Sequence, residues 1–165
     1  GNNWERMTTG HRGDLWWVHA FPDGVTMMGG AHGAILRHDG STFARMATPG
    51  LGQHTVFGVW GRASKDVYAV GGSANRSGFI WHYDGLRWSD VPLPADVPRV
   101  TFDRGESSVS DVPGMFKVCG DDRGNVWVVG GAGTILRKTG EGPFEVVPSG
   151  VTSTLFTISV SDSSV

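Results

Sequence analysis

Four aromatic residues fall in register along this chain, and the segments around them repeat. Trp16, Phe57, Phe116 and Phe156 are separated by 41, 59 and 40 residues. Two positions after them stand Val18, Val59, Val118 and Ile158. A second apolar segment follows each of the first three anchors: Val25–Met28, Val67–Val70 and Val126–Val129. Each ends in a glycine pair: Gly29-Gly30, Gly71-Gly72 and Gly130-Gly131. A third segment then begins at Gly33, Gly78 or Gly133, and a fourth opens on Phe43, Trp88 or Phe144. A period of about forty residues with four short strands per period is the mark of β-propeller blades.

The residue chemistry fits that reading. The segments are four to six residues long and rich in β-branched and aromatic side chains, which favour strands. They are apolar on both faces, as befits a small sheet sandwiched between two neighbours. Glycine supplies 26 of the 165 residues, without collagen periodicity. That much glycine among valines and aromatics means tight turns between short strands. Asp39-Gly40 and Asp84-Gly85 are strong hairpin signals. No helical period is present.

The expected fold is therefore all-β: antiparallel four-stranded blades of about forty residues, forming part of a propeller. Residues 15–54, 55–92 and 115–149 read as three blades. Trp4-Glu5-Arg6-Met7 matches Phe43-Ala44-Arg45-Met46, so residues 1–14 read as the outer strand of a preceding blade. Leu155–Val160 reads as an inner strand within 150–165, and Asp162–Val165 would lead into the next. Propellers close with four to eight blades, so further blades are expected, from the rest of a longer chain or from another copy.

The one irregularity is residues 93–114, read as an insertion loop between the second and third blades. It carries Asp96, Arg99, Asp103, Arg104, Glu106 and Asp111. Long loops and repeat insertions concentrate function. Arg99, Asp103 and Arg104 are accordingly candidate binding residues.

Composition narrows the function. The formal net charge is −2 with no block of like charge, so the chain lacks the basic footprint of a nucleic-acid binder. No run approaches the roughly twenty apolar residues of a membrane span. No charged segment followed by an apolar one stands at the N-terminus, so no signal peptide is read. Cys119 is the sole cysteine, which excludes an intrachain disulfide. It lies in an apolar run and reads as a small buried hydrophobe.

Six histidines are present, His11, His19, His32, His38, His54 and His82, but none has metalloprotease or His-x-His spacing. His38 and His82 read as solvent-facing. His19 shares a first-strand slot with Trp60, Cys119 and Ser159. First strands line a propeller channel, so His19 and Trp60 are candidate binding residues. Asp121–Asn125 lacks the length and terminal Glu of a calcium loop, and no carboxylate pair suits glycoside hydrolysis. Asn75-Arg76-Ser77 matches the glycosylation sequon. No metal or cofactor is expected.

The run Val59-Trp60-Gly61, Asp66–Gly71, Ile80–Gly85 and Trp88-Ser89 resembles tandem propeller repeats of secreted or surface proteins of myxobacteria. More distantly, the chain is similar to Asp-box propellers, as in sialidases and photosystem II assembly factors. His38–Phe43 reproduces part of the Asp-box turn, with one Gly fewer and Phe for Trp. The resemblance implies a blade and an extracellular or cell-surface setting. It does not carry over sialidase activity, because Tyr68 and Tyr83, the only tyrosines, fall in repeat strands. The leading expectation is a non-catalytic scaffold recognising a protein or glycan. Two others stand beside it: part of a propeller glycoside hydrolase or lyase with its catalytic residues elsewhere, and a purely structural repeat array.

Overall fold

The computed structural model describes residues 3–73, 76–104 and 107–161. Strands β1 (Leu15–Ala20), β2 (Thr26–Gly30), β3 (Ile35–His38) and β4 (Phe43–Arg45) form one antiparallel sheet in that order. A second sheet consists of β5 (Thr55–Ala63), β6 (Asp66–Ser73), β7 (Arg76–Tyr83) and β8 (Trp88–Asp90). After the hairpin β9 (Val100–Arg104) and β10 (Ser107–Asp111) comes a third sheet. It holds β11 (Met115–Gly120), β12 (Asn125–Gly130), β13 (Ile135–Thr139) and β14 (Phe144–Val146). The three sheets are β-propeller blades. Their registers agree: Val18 faces Met28, Val59 faces Ala69 and Val118 faces Val128.

The alternation of side chains along a strand explains why the middle blade is apolar throughout. Val67, Ala69, Phe79 and Trp81 face the first blade and pack with Met27, Ile35, Val56 and Val59. Tyr68, Val70 and Ile80 face the third, against Met115, Val118, Val128 and Leu136. The core is thus two layers, one on each side of β6 and β7. Trp81 is the largest fully buried side chain and stacks on Phe79 at 3.9 Å between ring centroids. Burying each large side chain is worth about 1.5–3 kcal/mol.

The glycine pairs serve close packing. A Cβ at Gly29 would lie 3.0 Å from Val59 Cγ2 and nearer still to Val56, so this glycine lets two blades meet. Gly33 and Gly133 sit at φ 66° and 68° before the third strand, a left-handed backbone that glycine adopts without strain.

The insertion holds a two-stranded hairpin where the sequence reads as a bare loop. Val97 and Val112, at the two ends of its stem, are buried with the second core layer. Ser77 Oγ donates to Asp111 Oδ2 at 3.0 Å and Gly78 N to Val112 O at 3.0 Å. An isolated hairpin is marginal in water; these anchors hold it against β7.

At the N-terminal side, Trp4–Met7 forms no ladder among the described residues, and Trp4 is fully exposed. Residues 5–10 nevertheless lie along Ser41–Phe43 with a groove of about 670 Å³. Met46–Pro49 lie along Leu86–Asp90 in the same way, with a groove of about 720 Å³. Residues 155–160 carry no assigned strand, yet Leu155 N donates to Gly130 O at 2.9 Å. Asp162–Val165, expected to lead into a further strand, the sequon residue Asn75 and Glu106 fall outside the described residues.

Candidate functional site

The innermost strands β1, β5 and β11 lie side by side, as the channel wall of a propeller. Each carries a register irregularity at the same place: between Leu15 and Trp17, Val56 and Gly58, and Met115 and Lys117. The extra residues are Trp16, Phe57 and Phe116. A bulge leaves its extra residue unpaired and re-aims its side chain. Here it turns one aromatic per blade into a shared row. Ring centroids are 6.0 Å apart for Trp16 and Phe57, 5.2 Å for Phe57 and Phe116, and 5.0 Å for Phe116 and Phe156. Trp16 is 57% exposed and Phe156 68%, while Phe57 and Phe116 are half-buried. The row stands where the inner strands begin. The insertion enters the third blade at this same end, through Asp111–Met115.

The slot shared by His19, Trp60 and Cys119 behaves differently. His19 Nε2 lies 3.3 Å from Gly61 O on the next blade. Trp60 lies on Gly120, where an added Cβ would come within 2.7 Å of Trp60 Cζ3. Cys119 is in hydrogen-bond contact with the backbone of Val160. Gly61, Gly120 and Val160 each directly follow the slot position of their own repeat. The slot is therefore a blade-to-blade joint. Burial lowers the His19 pKa; the Gly61 carbonyl opposes this, and the nearby Lys117 charge adds to the lowering. With Nε2 facing a carbonyl, that nitrogen carries the proton. Burial likewise pushes the Cys119 thiol up, the opposite of a reactive thiolate.

Lys117 is the group that sequence reading passed over. Its Nζ sits 3.1 Å from the centroid of the Trp17 ring, so it reaches from the third blade to the first. Gly58 of the intervening strand makes this possible. A Cβ there would lie 3.3 Å from both Phe116 O and Val118 N, the peptide groups flanking Lys117. Burial lowers the Lys117 pKa. The signal was present in the sequence: a lone cation inside the apolar run Met115–Cys119.

The five sequence candidates do not converge. His19 and Trp60 lie toward the far ends of their strands, while Arg99 is exposed on the insertion at the strand-start end. Asp103 and Arg104 lie in β9, their side chains outside the described residues. His38 is half-buried rather than solvent-facing, and so is His82. His82 Nε2 lies 2.8 Å from Asp66 Oδ1, and Arg62 pairs with Asp66 Oδ2 at 3.0 Å. The Tyr68 ring packs against His82 at 4.6 Å. Among the described residues no three His, Cys, Asp or Glu side chains are grouped to hold a metal.

No protein-family model matches the chain. A Pseudomonas aeruginosa protein described as immune protein Tsi7 is 29% identical over 135 residues, covering 78% of this chain and 37% of that protein. Among solved structures, YCF48 bound to D1 peptide superposes with a TM-score of 0.70 at 13% identity. That match covers 93% of this chain and 46% of YCF48. The chain thus spans less than half the length of either protein. At this identity the structural match speaks for the fold alone, and the fold is that of a partial β-propeller.

Proposed function

We propose that this chain is a non-catalytic recognition segment of a β-propeller and that its partner is a protein, bound as a peptide at the insertion end of the channel. One observation carries the reading. An aromatic row, one ring per blade, stands at the same end as the anchored hairpin. Partly exposed aromatics offer large contact area at low entropic cost and dominate recognition energetics. The structure of YCF48 with a peptide supports the choice of partner class by analogy of fold. Residues 1–14 and 150–165 belong, in this reading, to neighbouring blades, with 93–114 as the insertion. The Asp-box-like turn and an extracellular or cell-surface setting form part of the same proposal. The channel-joint residues His19 and Trp60 then support the site, while Arg99, Asp103 and Arg104 contribute to its rim.

A peptide array probed in parallel with a glycan array tests this. The wild-type chain is expected to retain a set of peptides that Trp16→Ala and Arg99→Ala release. Retention of glycans alone, or of peptides unaffected by both substitutions, would overturn it.

A further inference from the structure

The Lys117 ammonium lacks what such a group needs. It is half-buried on an inner strand, and a charge taken out of water is costly unless paired. Its Nζ rests on the Trp17 ring, a cation–π contact. A ring face occupies one side of an ammonium and leaves N–H donors on the other. Among the described residues no hydrogen-bond acceptor and no carboxylate meets those donors. The nearby titratable groups are His19, which adds no negative charge, and the Cys119 thiol, which burial keeps protonated. The other two lysines differ. Lys138 donates to Gly140 O, and Lys65 is exposed to water.

Three strands place this group. Trp17 comes from β1 and Lys117 from β11, and both stand one position beyond the aromatic row. Gly58 is their counterpart on β5, and its lack of a side chain lets β5 and β11 approach. The ammonium is thus held beside the surface that would receive a peptide, with a donor set unspent.

We propose that Lys117, held on the Trp17 ring, is an anion site of the channel that takes a carboxylate of the bound peptide. This rests on the peptide-recognition reading, which it deepens by naming an acidic partner. A carboxylate would accept charge-assisted hydrogen bonds from Nζ while the ring keeps its face of the ammonium. The carboxylate comes from an Asp or Glu side chain or from a chain terminus; the chemistry is the same.

Lysine scarcity makes the test direct. With only Lys65, Lys117 and Lys138 in the chain, ε-13C-labelled lysine gives three NMR signals, and Lys117→Met identifies one. Titration with sodium acetate is expected to move the Lys117 signal saturably. Acetamide, and sodium chloride at equal ionic strength, should leave it in place. Acetylglycine and N-acetylglutamate α-amide then compare a terminal with a side-chain carboxylate, and the one acting at lower concentration names the source. A peptide retained by the array should lose about tenfold in affinity when its carboxylate becomes an amide, the loss of one hydrogen bond to a charged group. Equal shifts of all three lysines, or the same response to chloride, would overturn the site. So would the absence of saturation. Peptide retention without acidic preference would sink this proposal and spare the recognition reading. An acetate response without peptide retention would leave an anion site at Lys117 but overturn its role toward a peptide, together with the recognition reading.

Discussion

The Trp60 ring of the second blade lies against Gly120 of the third, with no room for a Cβ between them. The same joint is made by His19 on Gly61 one blade earlier. Gly120→Ala is therefore expected to destabilise the chain by about 1–3 kcal/mol, the range for overpacking a filled contact. Urea unfolding followed by tryptophan fluorescence measures it. The double variant Gly120→Ala with Trp60→Leu should lose less than the two single costs combined, because the clash with the ring is relieved while that with the Asn125 carbonyl oxygen stays.

The aromatic row separates binding from folding. Trp16 is more than half exposed, so Trp16→Ala should change stability by no more than about 0.5–1 kcal/mol. Its effect on retained peptides should be tenfold or greater, as for a central aromatic anchor. Phe57→Ala should cost both, since Phe57 is held between Trp16 and Phe116. Thermal melts alongside affinity measurements distinguish the two patterns.

Asp84 holds the turn between β7 and β8. Its Oδ1 accepts from Arg87 N and Leu86 N, each at 2.8 Å. Those bonds, led by that from Arg87, hold its carboxyl below the ordinary carboxylate range. A carboxylate lowered in the folded state stabilises above its unfolded pKa of about 4, and that contribution vanishes as pH falls through the folded value. Asp84→Ala should thus lower the urea midpoint at pH 7 and match wild type more closely near pH 2. A gap of constant size across that window would contradict this account.

Tyr68 makes the alkaline counterpart. Burial, then the Asp66 charge, pushes its phenol up to about 12. A raised folded pKa stabilises below the unfolded value of about 10 and loses that contribution as pH rises toward the folded one. In Tyr83→Phe, which leaves Tyr68 alone, phenolate absorbance at 295 nm should titrate near 12. Stability should decline between about pH 10 and 12.

Much of the architecture was legible because blades repeat. The anchors Trp16, Phe57 and Phe116, the valines two positions later and the glycine pairs all sit where periodicity placed them. The sites were less legible, for physical reasons. His19 and Trp60 each meet the glycine that follows the slot on the next blade, a contact between blades that variation within the slot does not express. Lys117 meets Trp17 across a hundred residues of sequence, a contact that local pattern cannot express. His82 finds Asp66 through strand pairing of β6 with β7, which turns an outward-reading residue into a half-buried one. The hairpin β9–β10 was hidden because its polar composition resembles a loop, and its anchors Val97 and Val112 are single residues at the base.

The bulge at the start of each inner strand gives the channel a surface with translational near-symmetry. A ligand shifted sideways by one blade would meet another ring at a similar spacing, so the row by itself fixes no unique position. Uniqueness must come from features that occur once: the hairpin after the second blade and the lysine of the third. On the recognition proposal, the regular part would supply grip and the exceptions would decide where the ligand stops.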